Sequence, residues 1–109
     1  MSLAQDRVKT GAGALDVKRP TWANEVMEQI RAGRKLDMED NESCVLGLIT
    51  GNYHGAHRAI FGVWCGDPVG RSLLISLGFE ITWEERWSGK VTIAALNRAW
   101  MREARARTA

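Results

Sequence analysis

The residues best equipped for chemistry in this chain are two cysteines and two histidines, Cys44, His54, His57 and Cys65, spaced C-x9-H-x2-H-x7-C. These are the donor types of a Cys2His2 zinc centre. Structural zinc sites, however, bring their ligands in close pairs, C-x2–4-C and H-x3–5-H. Here neither cysteine has a close cysteine partner, and the histidines stand only three apart on a predicted helix. The expectation is two core thiols and two surface or capping histidines, with no metal and no cofactor. A Cys–His nucleophile needs an exposed thiol in an electropositive setting. Cys44 sits in the most apolar run of the chain and is expected to be inert. Cys65, beside Trp64 and Gly66-Asp67, is the more accessible thiol, but no oxyanion-loop signature accompanies it. No catalytic residue is assigned, and the chain is not expected to be an enzyme.

The acids Asp37, Glu39, Asp40 and Glu42 suggest a cation site by their density, but they lack the D-x-[DN]-x-[DN]-G spacing of a calcium loop. They are read as capping groups and a solvated acidic loop. The Gly11-Ala12-Gly13 stretch follows no strand and is not a phosphate loop. The best surface candidate is basic. Arg98, Arg102 and Arg105 recur at i, i+4 and i+7, opposite the apolar side of the last predicted helix. Trp83 and Trp87, four apart with Arg86 between them, are placed on the same surface. Arginine and tryptophan are the types enriched at binding hot spots, and arginine suits phosphate and carboxylate through paired bonds. The candidate binding set is therefore Trp83, Arg86, Trp87, Arg98, Arg102 and Arg105.

The elements that must carry these residues follow from periodicity and capping. A chain of 109 residues, 45% apolar, suits one globular domain. No apolar run approaches the ~20 residues of a membrane span, and residues 1–20 show no apolar segment of a secretory leader. Two cysteines without a C-x-x-C pair fit a cytoplasmic chain with reduced thiols. The net charge of +2 is too small to point to nucleic acid by itself. Residues 1–19 mix Gly, Ala and alternating charge without period and are read as a flexible N-terminal arm. Residues 20–109 are read as a single helical domain. A first helix over 21–32 carries the stripe Trp22, Val26, Ile30 and stops at Gly33. A second over 42–50 buries Cys44, Val45, Leu48 and Ile49, with Asp40 or Asn41 as cap. Gly47 within it implies close approach by another helix or an aromatic ring. A third spans 54–64 and turns Trp64 inward. Asp67-Pro68 opens a fourth over 68–77, with Val69, Leu73, Leu74 and Leu77 inward and a Gly78-Phe79 Schellman exit. Residues 79–87 alternate like a short β element, yet Thr82-x-x-Glu85 is a capping box, and a short helical turn is favoured. The last helix covers 90–105. The fold class is all-α, an irregular domain of about four to five short helices.

Several of these pieces together carry a resemblance. Leu36-Asp37-Met38, Cys44-Val45-Leu46-Gly47, Gly51 with Tyr53, Leu77-Gly78-Phe79, and Leu96 with Trp100 resemble a pattern of small bacteriophage and prophage proteins of uncharacterised function. The likeness covers roughly residues 22–104. One position departs from it: Leu48 stands where that pattern has a glutamine. The resemblance implies phage origin and residence in the host cytoplasm, and it implies no particular activity. With a catalytically blank sequence, the expected function is that of a non-enzymatic module that binds and modulates a host or phage protein. The alternatives are a nucleic-acid accessory protein using the basic C-terminal helix, and a small, homo-oligomeric virion or assembly component. No membrane partner is expected.

Overall fold

A computed structural model describes residues 2–108. Among them the chain forms seven helices and no strand: α1 (Leu3–Lys18), α2 (Trp22–Arg31), α3 (Val45–Thr50), α4 (Tyr53–Phe61), α5 (Pro68–Ser76), α6 (Trp83–Ser88) and α7 (Ile93–Ala106). The all-α expectation holds, and of the two readings of 79–87 the helical one is found.

The largest correction concerns the N-terminal segment, which is no flexible arm. It is α1, the longest helix, and it packs chiefly on α7 and also on α5. Ser2 and Gln5 form a reciprocal capping box, each backbone N–H donating to the other's side chain at 3.1 Å. Ala4, Val8, Gly11, Ala12 and Leu15 then form one buried stripe. Three of those five are Gly or Ala, so the stripe has little hydrophobic contrast, but it allows close approach of a neighbouring backbone. The domain therefore includes residues 3–18. Its radius of gyration of 12.7 Å matches the roughly 13 Å of a single compact domain of this length.

At the centre lie Trp22 and Trp100, both fully buried, edge to face with ring centroids 5.6 Å apart. Phe79 stacks on the far side of Trp100 at 5.0 Å. Phe79 gets there through the Schellman exit expected after α5: its N–H donates to Leu74 O, the Gly78 N–H donates to Ile75 O, and Gly78 has φ +79°. Trp64 was expected in this core and is half exposed instead. Helix α4 stops at Gly62, which is left-handed, so Trp64 lies beyond the helix whose period seemed to turn it inward. On α5, Val69 and Leu73 are likewise exposed, and only Leu74 and the following Leu77 reach the core.

The acidic stretch also differs in detail. The helix after it begins at Val45, and the cap is Cys44, whose Sγ accepts from the Gly47 N–H at 3.3 Å. Asp37 and Asp40 accept from the N–H groups two residues on, Glu39 and Glu42, in Asx-type turns. What crowds Gly47 is this loop: a Cβ there would lie 2.3 Å from Asn41 O. The three nearest atoms are all backbone of this loop rather than another helix or an aromatic ring. Leu48, the departure from the phage-like pattern, is buried.

Arg7 on α1 and Glu85 on α6 form a largely buried ion pair. Glu85 also closes the α6 capping box with Thr82. The Arg7 bond holds the Glu85 carboxyl down to about 2, from 4.5. A carboxyl depressed by folding contributes stability that is fully present above its unfolded pKa and disappears as pH falls toward the folded one. Acidification from about pH 4.5 to about 2 is therefore expected to lower the urea midpoint, with Glu85 contributing on the order of 2 kcal/mol. Glu85→Gln should be less stable at neutral pH and lose less on acidification. An unchanged acid slope in Glu85→Gln would refute this account.

Candidate functional site

The six residues singled out from sequence fall on two helices, Trp83, Arg86 and Trp87 on α6 and Arg98, Arg102 and Arg105 on α7. Trp83 and Trp87 lie one turn apart on α6, 70% and 82% exposed. A helix of six residues with no buried member is held by its capping box and by Arg7, not by packing of its indoles. Arg86, between them, is not free: its Nη1 donates to Glu39 Oε1 at 2.9 Å. Both partners are about half exposed, so the pair contributes little stability. It does tether the acidic loop to α6. Beneath these residues is a cleft of about 290 Å³, walled by Met38, Glu39, Tyr53, Arg71, Trp83 and Arg86, with Phe79 among its floor residues. Trp87 does not line it.

Tyr53 shows why this cleft is a poor acid–base centre. Its phenol donates to Glu80 Oε2 at 3.0 Å. Burial first, and then the negative charge of Glu80, push its pKa far above the ordinary range. Tyr53 keeps its proton and serves as a fixed donor.

The second surface is the outer face of α7. Arg98, Arg102 and Arg105 are exposed and enter no ion pair among the described residues. With Asn97 and Met101 they line a groove of about 530 Å³ that shares no residue with the cleft. The two depressions adjoin, since the Met38 N–H of the cleft donates to Asn97 Oδ1 of the groove at 2.7 Å. Arg107, in the same basic run, has a structural role. It pairs with Asp16 through two bonds of 2.8 and 2.9 Å and with Glu103, and its guanidinium lies 5.5 Å from the Trp22 ring centroid.

The thiols and imidazoles come together further than their spacing suggested. Cys44 stands apart as a structural thiol, and burial pushes it up to about 11. His54, His57 and Cys65, by contrast, place one donor atom each within 4.8 Å of one another. The sequence reading counted the separation of three as unfavourable. On a helix, i and i+3 share a face, and the turn at Gly62 brings Cys65 back to them. Arg71, Glu80 and Met38 were also missed as cleft residues. They come from three separated segments, and no local pattern marks them.

Comparison with protein-family models finds no match, and comparisons with curated proteins and with solved structures find none either.

Proposed function

We propose that this chain is a non-enzymatic binding module of phage type, which docks on and modulates a partner protein in the host cytoplasm through α6 and the adjoining cleft. The observation that carries this reading is the pair Trp83 and Trp87, side by side on one short helix and mostly exposed. At roughly 200 Å² per indole and about 25 cal/mol per Å², covering both is worth at most on the order of 10 kcal/mol before the costs of association. The Arg71 guanidinium on the cleft wall, and Arg86 once released from Glu39, supply polar contacts around that apolar centre, the anatomy of a hot spot with its rim. The partner's chemistry follows: an apolar recess for two indoles, with carboxylates facing the arginines. No helix among the described residues is long and apolar enough to cross a membrane.

The test is capture from bacterial lysate with wild-type and Trp83→Ala/Trp87→Ala bait. Both side chains are exposed, so the double variant should melt with the wild type. A partner held by wild type should lose at least about 30-fold in affinity to the double variant, since even one hot-spot indole contributes about 2 kcal/mol or more. Equal recovery by both baits would remove α6 from the interface.

A second reading rests on Arg98, Arg102 and Arg105, which have no ion-pair partner among the described residues. Three such guanidinium groups along one groove suit a phosphate backbone. Retention on heparin that falls steeply with salt and is lost in Arg98→Ala/Arg102→Ala would favour a nucleic-acid accessory role. Elution at low salt, unchanged by those substitutions, would exclude it.

A further inference from the structure

We infer that His54, His57 and Cys65 form a binding site for one divalent transition-metal ion of the zinc class. Helix α4 offers the two imidazoles from one face, and the turn at Gly62 returns the chain so that Cys65 Sγ lies 3.3 Å from His54 Nδ1. The three donor atoms already lie within 4.8 Å of one another. Around tetrahedral zinc, with bonds of about 2.0–2.3 Å, ligand atoms stand roughly 3.3–3.7 Å apart. Closing the set takes an inward movement of about 1 Å, which His54 and Cys65 can supply because neither is fully buried.

His57 is the anchor. Its ring is wholly buried, and Nδ1 lies 2.7 Å from Val63 O. A carbonyl oxygen only accepts, so Nδ1 carries the proton and Nε2 keeps a lone pair. That Nε2 is buried with no hydrogen-bond partner among the described residues. A buried polar atom without a partner calls for an explanation, and a ligated metal supplies one. An N–H to a backbone carbonyl at one nitrogen, with the metal at the other, is the usual way a metal-binding histidine is oriented. His54 has the matching support. Its Nε2 lies 3.2 Å from the Asn41 side-chain amide. With that amide turned so that its oxygen accepts from Nε2–H, Nδ1 is free to coordinate on the Cys65 side. Tyr53 packs against both rings, with centroids 5.7 and 4.9 Å away. On coordination the Cys65 thiol passes its proton to solvent and the sulfur binds as thiolate. Two imidazoles and a thiolate select zinc over the hard cations magnesium and calcium. Three protein ligands leave the fourth position for water or a partner's side chain.

Asn41, His54 and Cys65 also run in the order of orienter, base and nucleophile. Neither the cleft nor the α7 groove is lined by His54 or Cys65, and that arrangement makes no use of the free nitrogen of His57. Metal binding accounts for all three side chains.

The test is cobalt(II) titration of the full chain after stripping with chelator, with zinc as competitor. Wild type should take up one equivalent, show the thiolate-to-cobalt absorption and tetrahedral d–d bands, and release cobalt to zinc. Cys65→Ser should lose the thiolate band, and His54→Ala should weaken binding by more than the roughly 10–100-fold expected for Asn41→Ala, which removes an outer partner only. Circular dichroism checks that each variant is folded, and both ligands substituted lie outside the deep core. Cys44→Ser should bind as wild type. Uptake only at millimolar metal, or a thiolate band that survives in Cys65→Ser, would overturn the site. So would rapid alkylation of Cys65 that zinc does not slow, which would mark a nucleophile instead.

Discussion

Replacing Trp100 with alanine is expected to cost about 3–5 kcal/mol, the range for deleting a large buried aromatic. Trp100 is fully buried and joins three parts of the fold. Its ring meets Trp22 of α2 edge to face at 5.6 Å and stacks on Phe79 at 5.0 Å. Its Nε1–H donates to Gly78 O at 2.8 Å in a buried bond, so truncation leaves both a cavity and an unpaired carbonyl. Domains of this size are stable by about 5–15 kcal/mol, so the variant loses a large share of its margin. The measurement is the urea midpoint at fixed slope. Trp100→Phe separates the contributions: it keeps an aromatic face for Phe79 and loses the hydrogen bond, and should fall between wild type and alanine. A loss below about 1 kcal/mol in the alanine variant would contradict the central place given to this ring. The consequence reaches the surface, because α7 carries Trp100 inward and Arg98, Arg102 and Arg105 outward.

What was legible in the sequence was mostly local. The Asp67-Pro68 start, the Gly78-Phe79 exit and the Thr82–Glu85 box each depend on a few adjacent residues, and each is found. What was not legible depends on distant chain. Trp64 was assigned by extending a period past Gly62, and a single left-handed residue is enough to void that extension. The crowding at Gly47 was rightly inferred but wrongly attributed, since the loop just before it fills the space. At the candidate site, tryptophans on α6 were recognisable as surface residues only because no core period accommodated them. That α6 shares its cleft with the 37–44 loop, α5 and the start of α7 is set by tertiary packing, which no motif encodes. His54, His57 and Cys65 show the same limit, because the pairing is made by a turn and not by spacing.

Two glycines of α1 should respond oppositely to alanine, and the contrast tests how the N-terminal segment is seated. A Cβ on Gly11 would lie 1.9 Å from Leu77 O and 3.0 Å from Cη2 of Trp100. The first of these is backbone at the end of α5, held by its own capping bonds, so it cannot rotate away. The helix itself must retreat, and with it the packing of Val8 and Ala12. Overpacking of this kind costs about 1–3 kcal/mol or more, and contact with backbone puts Gly11→Ala at the upper end. Gly13 is two residues along the same helix with nothing within 4 Å of its Cβ position. There alanine only restores helix propensity and restricts the unfolded chain, worth about 0.5–1 kcal/mol of added stability. Urea midpoints of the two variants should therefore move in opposite directions. Had residues 1–19 been a flexible arm, neither substitution would move the midpoint, because neither would touch folded structure. A gain in stability in both would mean that helix formation alone sets their effect and that α1 does not rest on Leu77. Opposite signs require a helix whose one face is in contact and whose other face is free, which is the arrangement that small residues on the inner stripe of α1 permit and larger ones would not.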